Sequence, residues 1–346
     1  DVRNADRLKE ILIQARAYHR TRPAQGGLNI AMAHATRTLS PDAALTCLVH
    51  GAPMTHLIEK LAKEQEHLGA LSDQLDKIRE FLMASALPTA SFTGTGFVYD
   101  KLVARLAKWS QQFNSKPVAP AATSWTKAEV LPPEGLAAPM DASYCAMVIP
   151  APHMTSPDAP ALLVANRLLS MNYLLEEVRF KGSAYGGGSS YNGVSQTLSF
   201  HSYRDPWIYR TLDVYRKSLD WLTATKWTTL DVDRAIIGTA KEGERPIRPA
   251  DATGTALSRY LLGDTREARE ARHAGILAAT AQSTRGILER TLVEGLNKAN
   301  ICVVSSRERL EADNAEHPDL TLRISDILPP GQAPAADAED EGEGGE

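Results

Sequence analysis

Between Ala161 and Val178 the apolar residues recur at helical spacing: Leu162, Leu163, Val164, Leu168, Leu169, Met171, Leu174, Leu175 and Val178. That pattern predicts an amphipathic helix with a broad buried face. Pro160 suits an early-turn position, with Ser156 or Asp158 as the capping residue. The period then changes. Val194, Thr197, Ser199, His201 and Tyr203 alternate with Leu198, Phe200 and Ser202, which predicts a half-buried strand. Gly186, Gly187 and Gly188 lie between helix and strand. They read as a turn, because three glycines reach dihedrals and close approaches that a Cβ would block. Pro206 opens a further helix that runs to about Leu222.

The rest of the chain is mostly helical in pattern. Asp6 to Arg20 is amphipathic through Leu8, Ile11, Leu12 and Ala15. Ser40 and Pro41 read as a cap and the first helical position of another helix. A helix follows Asp73, Thr89 to Thr95 predicts a short strand, and Asp100 to Phe113 is helical again. Tyr144 to Ile149 is a strand-like apolar run bounded by Pro150. A helix leading to a strand occurs at similar spacing over 74–94 and 284–303. This is either one supersecondary plan used twice or a chance likeness between common helix-to-strand endings. The expected units are 1–115, a Pro- and Ala-rich linker over 116–139, a second domain over 140–308, and a tail over 309–346.

Composition narrows the class. The chain has 346 residues, 43% apolar and 23% charged, as in a globular protein with ordinary cores. A net charge of −4 gives no reason to expect nucleic acid as a partner. No apolar run approaches the roughly 18 residues of a membrane span. From about residue 329 the tail is acidic and poor in apolar residues, a composition expected to be disordered. Cys47, Cys145 and Cys302 lie far apart in apolar settings and read as buried thiols from a reducing compartment. The chain starts at Asp1 without methionine or targeting segment, so a fragment or processed product is expected.

Candidate chemistry centres on Arg179-Phe-Lys-Gly-Ser-Ala-Tyr185 and the glycines after it. A guanidinium is a fixed fork of donors and a phenol is a single directed hydroxyl. Together they suit the backbone of a bound peptide. The plainer readings are a cation at a helix C terminus and a half-buried aromatic. This stretch resembles the C-terminal half of presequence-protease-like members of the pitrilysin/insulysin family of zinc metallopeptidases. Asp6 to Lys9, Ala31 to Ala35, Leu39-Ser40-Pro41, Thr197 to Pro206 and Asn300 to Ser306 extend the resemblance to all but the acidic tail.

The resemblance implies an α+β fold of two homologous α/β-roll domains, each an antiparallel sheet backed by helices, the first incomplete. It implies that Arg179 and Tyr185 act in catalysis, stabilising the transition state and the substrate backbone. Gly186, Gly187 and Gly188 would let substrate approach. Asn192 and His201 read as structural. The implied partners are an unfolded peptide and an N-terminal half or partner subunit that supplies zinc. The implied location is an organellar matrix or stroma, mitochondrial or chloroplast.

No cofactor is expected in this chain itself, since it has no His-x-x-Glu-His. His56-Leu-Ile-Glu59-Lys60 comes nearest, with a repelling lysine in place of the second histidine. His67 follows Glu64 at the wrong spacing, and the other histidines form no ligand pattern. Two functions are therefore in view. One is the substrate-clamping half of a metalloendopeptidase that degrades short unfolded peptides such as cleaved presequences. The other is a catalytically inactive, peptidase-like scaffold subunit of a larger organellar complex.

Overall fold

The computed structural model describes residues 2–64, 68–85, 89–111 and 130–328. Its class is α+β. One six-stranded sheet, ordered β3-β4-β2-β5-β1-β6, is flanked by helices. The strands are β1 (Glu134–Ala137), β2 (Ser143–Pro150), β3 (Gly186–Asn192), β4 (Thr197–Asp205), β5 (Asn300–Ser305) and β6 (Arg323–Asp326). Neighbours from β3 to β5 run antiparallel, whereas β1 lies parallel to both β5 and β6.

The run Tyr144 to Ile149 is apolar throughout because β2 is covered on both faces. On one face Cys145, Met147 and Ile149 join Leu198, Phe200, Ile301 and Val303 beneath α6 (Ala159–Leu169), α7 (Tyr209–Arg216) and α12 (Ala281–Gly295). On the other face Tyr144, Ala146, Val148, Cys302 and Val304 pack against Ile30, Ala31 and Ala35 of α1 (Ala5–Thr36). Residues near the start of the chain therefore complete the core of a sheet whose strands all come from residue 134 onward.

The expected Asp6–Arg20 helix continues to Thr36, with a kink near Pro23 where Gly26 leaves helical geometry (φ −130°, ψ 27°). Tyr144 explains the kink in part. Its hydroxyl donates to the Ala24 carbonyl at 2.7 Å. Its ring also lies so close to Gly27 that a Cβ there would stand 2.5 Å away. At α2 (Pro41–His50) the Ser40 hydroxyl accepts from the Ala43 amide at 3.0 Å, the cap expected from Ser40-Pro41.

Several boundaries are corrected. Thr89 to Thr95 forms no strand, and α5 (Gly96–Ser110) follows it directly. Only the second of the two similar segments ends in a strand, α12 to β5. Ile301-Cys-Val-Val304 is a continuous apolar run with three β-branched residues, while Ala90 to Gly94 has one large apolar residue and no neighbouring strand among the described residues. The linker over 116–139 does not extend to its expected end. Glu134–Ala137 is β1, buried throughout, and it lies between Pro133 and Pro139, two of the prolines that suggested a linker. Residues 116–129 lie outside the described residues.

The tail over 309–346 is corrected likewise. The segment 309–328 holds most of α13 (Arg307–Glu316) and all of β6, anchored by buried Leu310, Leu320, Leu322 and Ile327. Its charge density masked these spaced anchors. The acidic residues beyond 328 lie outside the described residues. The Pro206 helix divides into α7 and α8 (Ser218–Ala224).

Candidate functional site

The helix over 161–178 begins as α6 and passes into a π-helical segment, Ser170–Phe180, which carries Arg179 in its last turn. Wider turns of this kind occur mostly as short insertions, often at functional sites. The N-cap position is Asp158, which makes no side-chain capping bond; the Ser156 hydroxyl accepts from the Asp158 amide at 3.2 Å in the turn before the helix. Its C terminus reverses at Ser183, in the left-handed region at φ 63°. There the Ser183 amide donates to the Arg179 carbonyl and the Ala184 amide to the Val178 carbonyl. Ala184 is buried, and the next residue, Tyr185, swings outward with 63% of its surface exposed. Its amide donates to the Arg204 carbonyl at 3.2 Å, which ties the rim to the end of β4.

The glycine triplet is not a turn. It forms the first residues of β3, with Gly186, Gly187 and Gly188 opposite Tyr203, Ser202 and His201. Each has an internal reason to lack a side chain. A Cβ at Gly186 would stand 2.5 Å from the Tyr203 ring, at Gly187 2.7 Å from a Val178 methyl, and at Gly188 2.5 Å from the Ser170 hydroxyl. The edge of β3 is partly closed as well, since Ser170 accepts from the Ser189 amide and Asn166 donates to the Ser189 carbonyl.

Tyr185 and Tyr203 pack with ring centroids 5.6 Å apart, and the Arg204 guanidinium lies 5.8 Å from the Tyr185 ring centre. Arg204 has φ 49°, a left-handed conformation that a non-glycine residue holds only under constraint. These residues line an open cavity of about 460 Å³ whose far wall is the kinked part of α1, with Gln25, Leu28 and Asn29. Arg179 does not line it. Arg179 is exposed, 5.9 Å from the Phe180 ring centre, and makes no ion pair among the described residues. Sequence reasoning singled out Arg179 and Tyr185 but not Tyr203, Arg204, Gln25 or Asn29. The alternation of β4 groups Tyr203 with His201, but nothing in the pattern announces that the α1 kink faces them.

Other polar residues here hold the scaffold. The Asn192 side chain accepts from the Val194 and Ser195 amides and shapes the β3–β4 hairpin. Burial lowers the pKa of the His201 imidazole. Burial pushes the Asp205 carboxyl up, against hydrogen bonds donated by the Trp207 amide and the Thr211 hydroxyl.

The nearest approach to a zinc motif is occupied with other work. Glu59, in α3 (Ala52–Lys63), is buried and accepts from Arg20 at 2.6 Å and 3.0 Å and from Arg16 at 3.0 Å. Those contacts, Arg20 first, hold its carboxyl below the ordinary range. His56 donates instead to the Asp326 carbonyl at 3.0 Å. A second group, His34, Glu134 and Cys302, has its potential ligand atoms within 4.8 Å of one another. Its donors are already used. His34 Nε2 accepts from the Ala52 amide, so Nδ1 carries the proton and donates to Glu134, which also accepts from Arg37. Neither of these two groups therefore fits the zinc of the metallopeptidases the chain resembles.

Residues 157–307 match the PreP C-terminal domain family. They span the helix, Arg179, Tyr185, the glycine strand and β5. Over 298 residues, 85% of this chain, the sequence is 28% identical to a mitochondrial presequence protease of Yarrowia lipolytica. Over 162 residues it is 31% identical to that of Danio rerio. The chain spans 30% of the first of these relatives and 15% of the second. Among solved structures, pitrilysin matches with a TM-score of 0.60 at 13% identity, over 93% of this chain and 34% of that one, which is a likeness of fold.

Proposed function

We propose that this chain is the substrate-clamping C-terminal part of a zinc metalloendopeptidase that degrades short unfolded peptides, cleaved presequences among them, in mitochondria. Residues 1–111 would be the latter part of one family unit, and those from β1 onward the next. An N-terminal half or partner subunit would bring the zinc. The mitochondrial assignment follows the names of the relatives, which give no support to a chloroplast. One observation carries the reading: inside the matched segment, Arg179 stands exposed in the last turn of a π-helical segment without an ion pair among the described residues, and Tyr185, six residues on, stands exposed at the rim of a cavity.

The roles of these residues follow from their chemistry. The Arg179 fork would hold a peptide carbonyl, and the Tyr185 hydroxyl would donate to the oxygen on which negative charge develops. Gly186 would serve by letting the Tyr203 ring lie against the strand beside Tyr185. The test is peptide cleavage by the assembled enzyme, with melting measured in parallel. Tyr185→Phe and Arg179→Ala are each expected to lower turnover about 100-fold or more, since one such donor is worth about 2–4 kcal/mol. Arg179→Ala should be the worse, with melting nearly unchanged in both. Unchanged turnover in both variants would leave the inactive-scaffold reading in its place. Loss of melting temperature alone would assign both residues to the fold.

A further inference from the structure

The cavity beside Tyr185 has a chemistry of its own. Its walls are aromatic, from Tyr144, Tyr185 and Tyr203, and no carboxylate lines it. Every polar group aimed at it is able to donate. Among the described residues the Arg204 guanidinium has no acidic partner, and the Tyr185 and Tyr203 hydroxyls have no hydrogen-bond partner. The Gln25 and Asn29 amides, both exposed, face them from α1. Arg204 is held there by the backbone: its left-handed φ of 49° and its carbonyl bond to the Tyr185 amide fix where its side chain leaves the strand. Donors without an internal acceptor, in a cavity of about 460 Å³, suit an acceptor that carries negative charge.

We propose that this cavity is a subsite for a carboxylate of the bound peptide, with Arg204 as the charged partner and the amides of Gln25 and Asn29 opposite. The inference rests on the peptide-binding reading above. Targeting peptides are rich in Arg and Ser and poor in acids, so the carboxylate such a peptide always carries is its own C terminus. Capture of a terminal carboxylate by converging donors is an established recognition mode. The subsite would thus favour a peptide already cut free over the same sequence still joined to a protein. An acidic side chain offers the same chemistry from a second source.

The experiment measures fluorescence anisotropy of a labelled, Arg- and Ser-rich, acid-free peptide with the full chain. The peptide is made in three forms: free C-terminal acid, C-terminal amide, and amide with one internal Glu. The free acid should bind about tenfold more tightly than the plain amide, the scale of one hydrogen bond to a charged group. Tight binding by the Glu form would name the side chain as a source, and weak binding would leave the terminus alone. Arg204→Gln should make the three forms equal. Gln25→Glu, which sets an acid in the opposite wall, should do the same without touching the strained residue. Arg179→Ala should weaken all three alike. Equal binding of the three forms by the unaltered chain, or a preference that survives both Arg204→Gln and Gln25→Glu, would overturn the carboxylate subsite and leave the peptide-binding reading standing. Binding of none of the forms would overturn both.

Discussion

At the residue scale, the buried carboxyls mark where charge serves the fold. Burial alone would raise Glu134, yet hydrogen bonds from His34 and Arg37 and the charge of the Arg37 guanidinium hold it below the ordinary carboxylate range. A carboxyl with a lowered folded pKa contributes stability above its unfolded pKa, and that contribution is lost as pH falls through the folded value. Glu134→Gln should therefore destabilise the chain by about 3 kcal/mol at neutral pH and flatten its acid-side loss of stability, because it breaks a buried charged cluster. Urea unfolding from neutral pH to below pH 4 would check both. Asp205 has the opposite sign. Its carboxyl is raised by burial, so it costs stability at neutral pH, and the cost is relieved as pH falls through the raised value. Asp205→Asn should remove that relief without touching the Glu134 effect.

At the element scale, the strand that opens with three glycines ties packing to the candidate site. Gly186→Ala should lower the melting temperature, with about 1–3 kcal/mol lost to overpacking against Tyr203. The displaced ring should also reach Tyr185, 5.6 Å away, and weaken peptide binding, which anisotropy would detect. A variant that melts and binds as before would mean that Tyr203 has room to move. The helix over 161–178 was legible because its periodicity and its burial coincide. So was the apolar alternation of Leu198 and Phe200, both buried against the helical face. The glycine triplet was misread as a turn because glycine permits either geometry, and only Tyr203, Val178 and Ser170 decide between them. β1 was hidden because four residues, Glu-Gly-Leu-Ala, have no strand periodicity. They join the sheet through partners far along the chain, Cys302 to Ser305 and Arg323 to Asp326. Arg179 and Tyr185 were singled out by their chemistry and by the family resemblance, and both are exposed in the fold. Arg204 was not, because its setting comes from a left-handed backbone and from a kink in α1, neither of which leaves a local pattern.

At the scale of the whole molecule, the sheet draws on most of the chain. β6 and the residues around it belong to that unit. Leu310, Leu320 and Leu322 pack into the helical-face core, and Ile327 into the layer shared with α1. A chain ended at Ser306 should lose cooperative unfolding, because it strips β6 from beside β1 and uncovers those residues. One ended at Leu328 keeps them all, and calorimetry of the pair would check the difference. The pairing of β1 with β5 places Glu134 beside Cys302, and Ile30 and Ala31 of α1 rest on Cys302 and Val304. During synthesis the N-terminal helix emerges well before the strand that covers it. At ordinary elongation rates the delay is on the order of ten seconds or more. Through that interval the apolar stripe of α1 is open to water and to other nascent chains, so the vulnerable period of this protein comes before its last strands leave the ribosome.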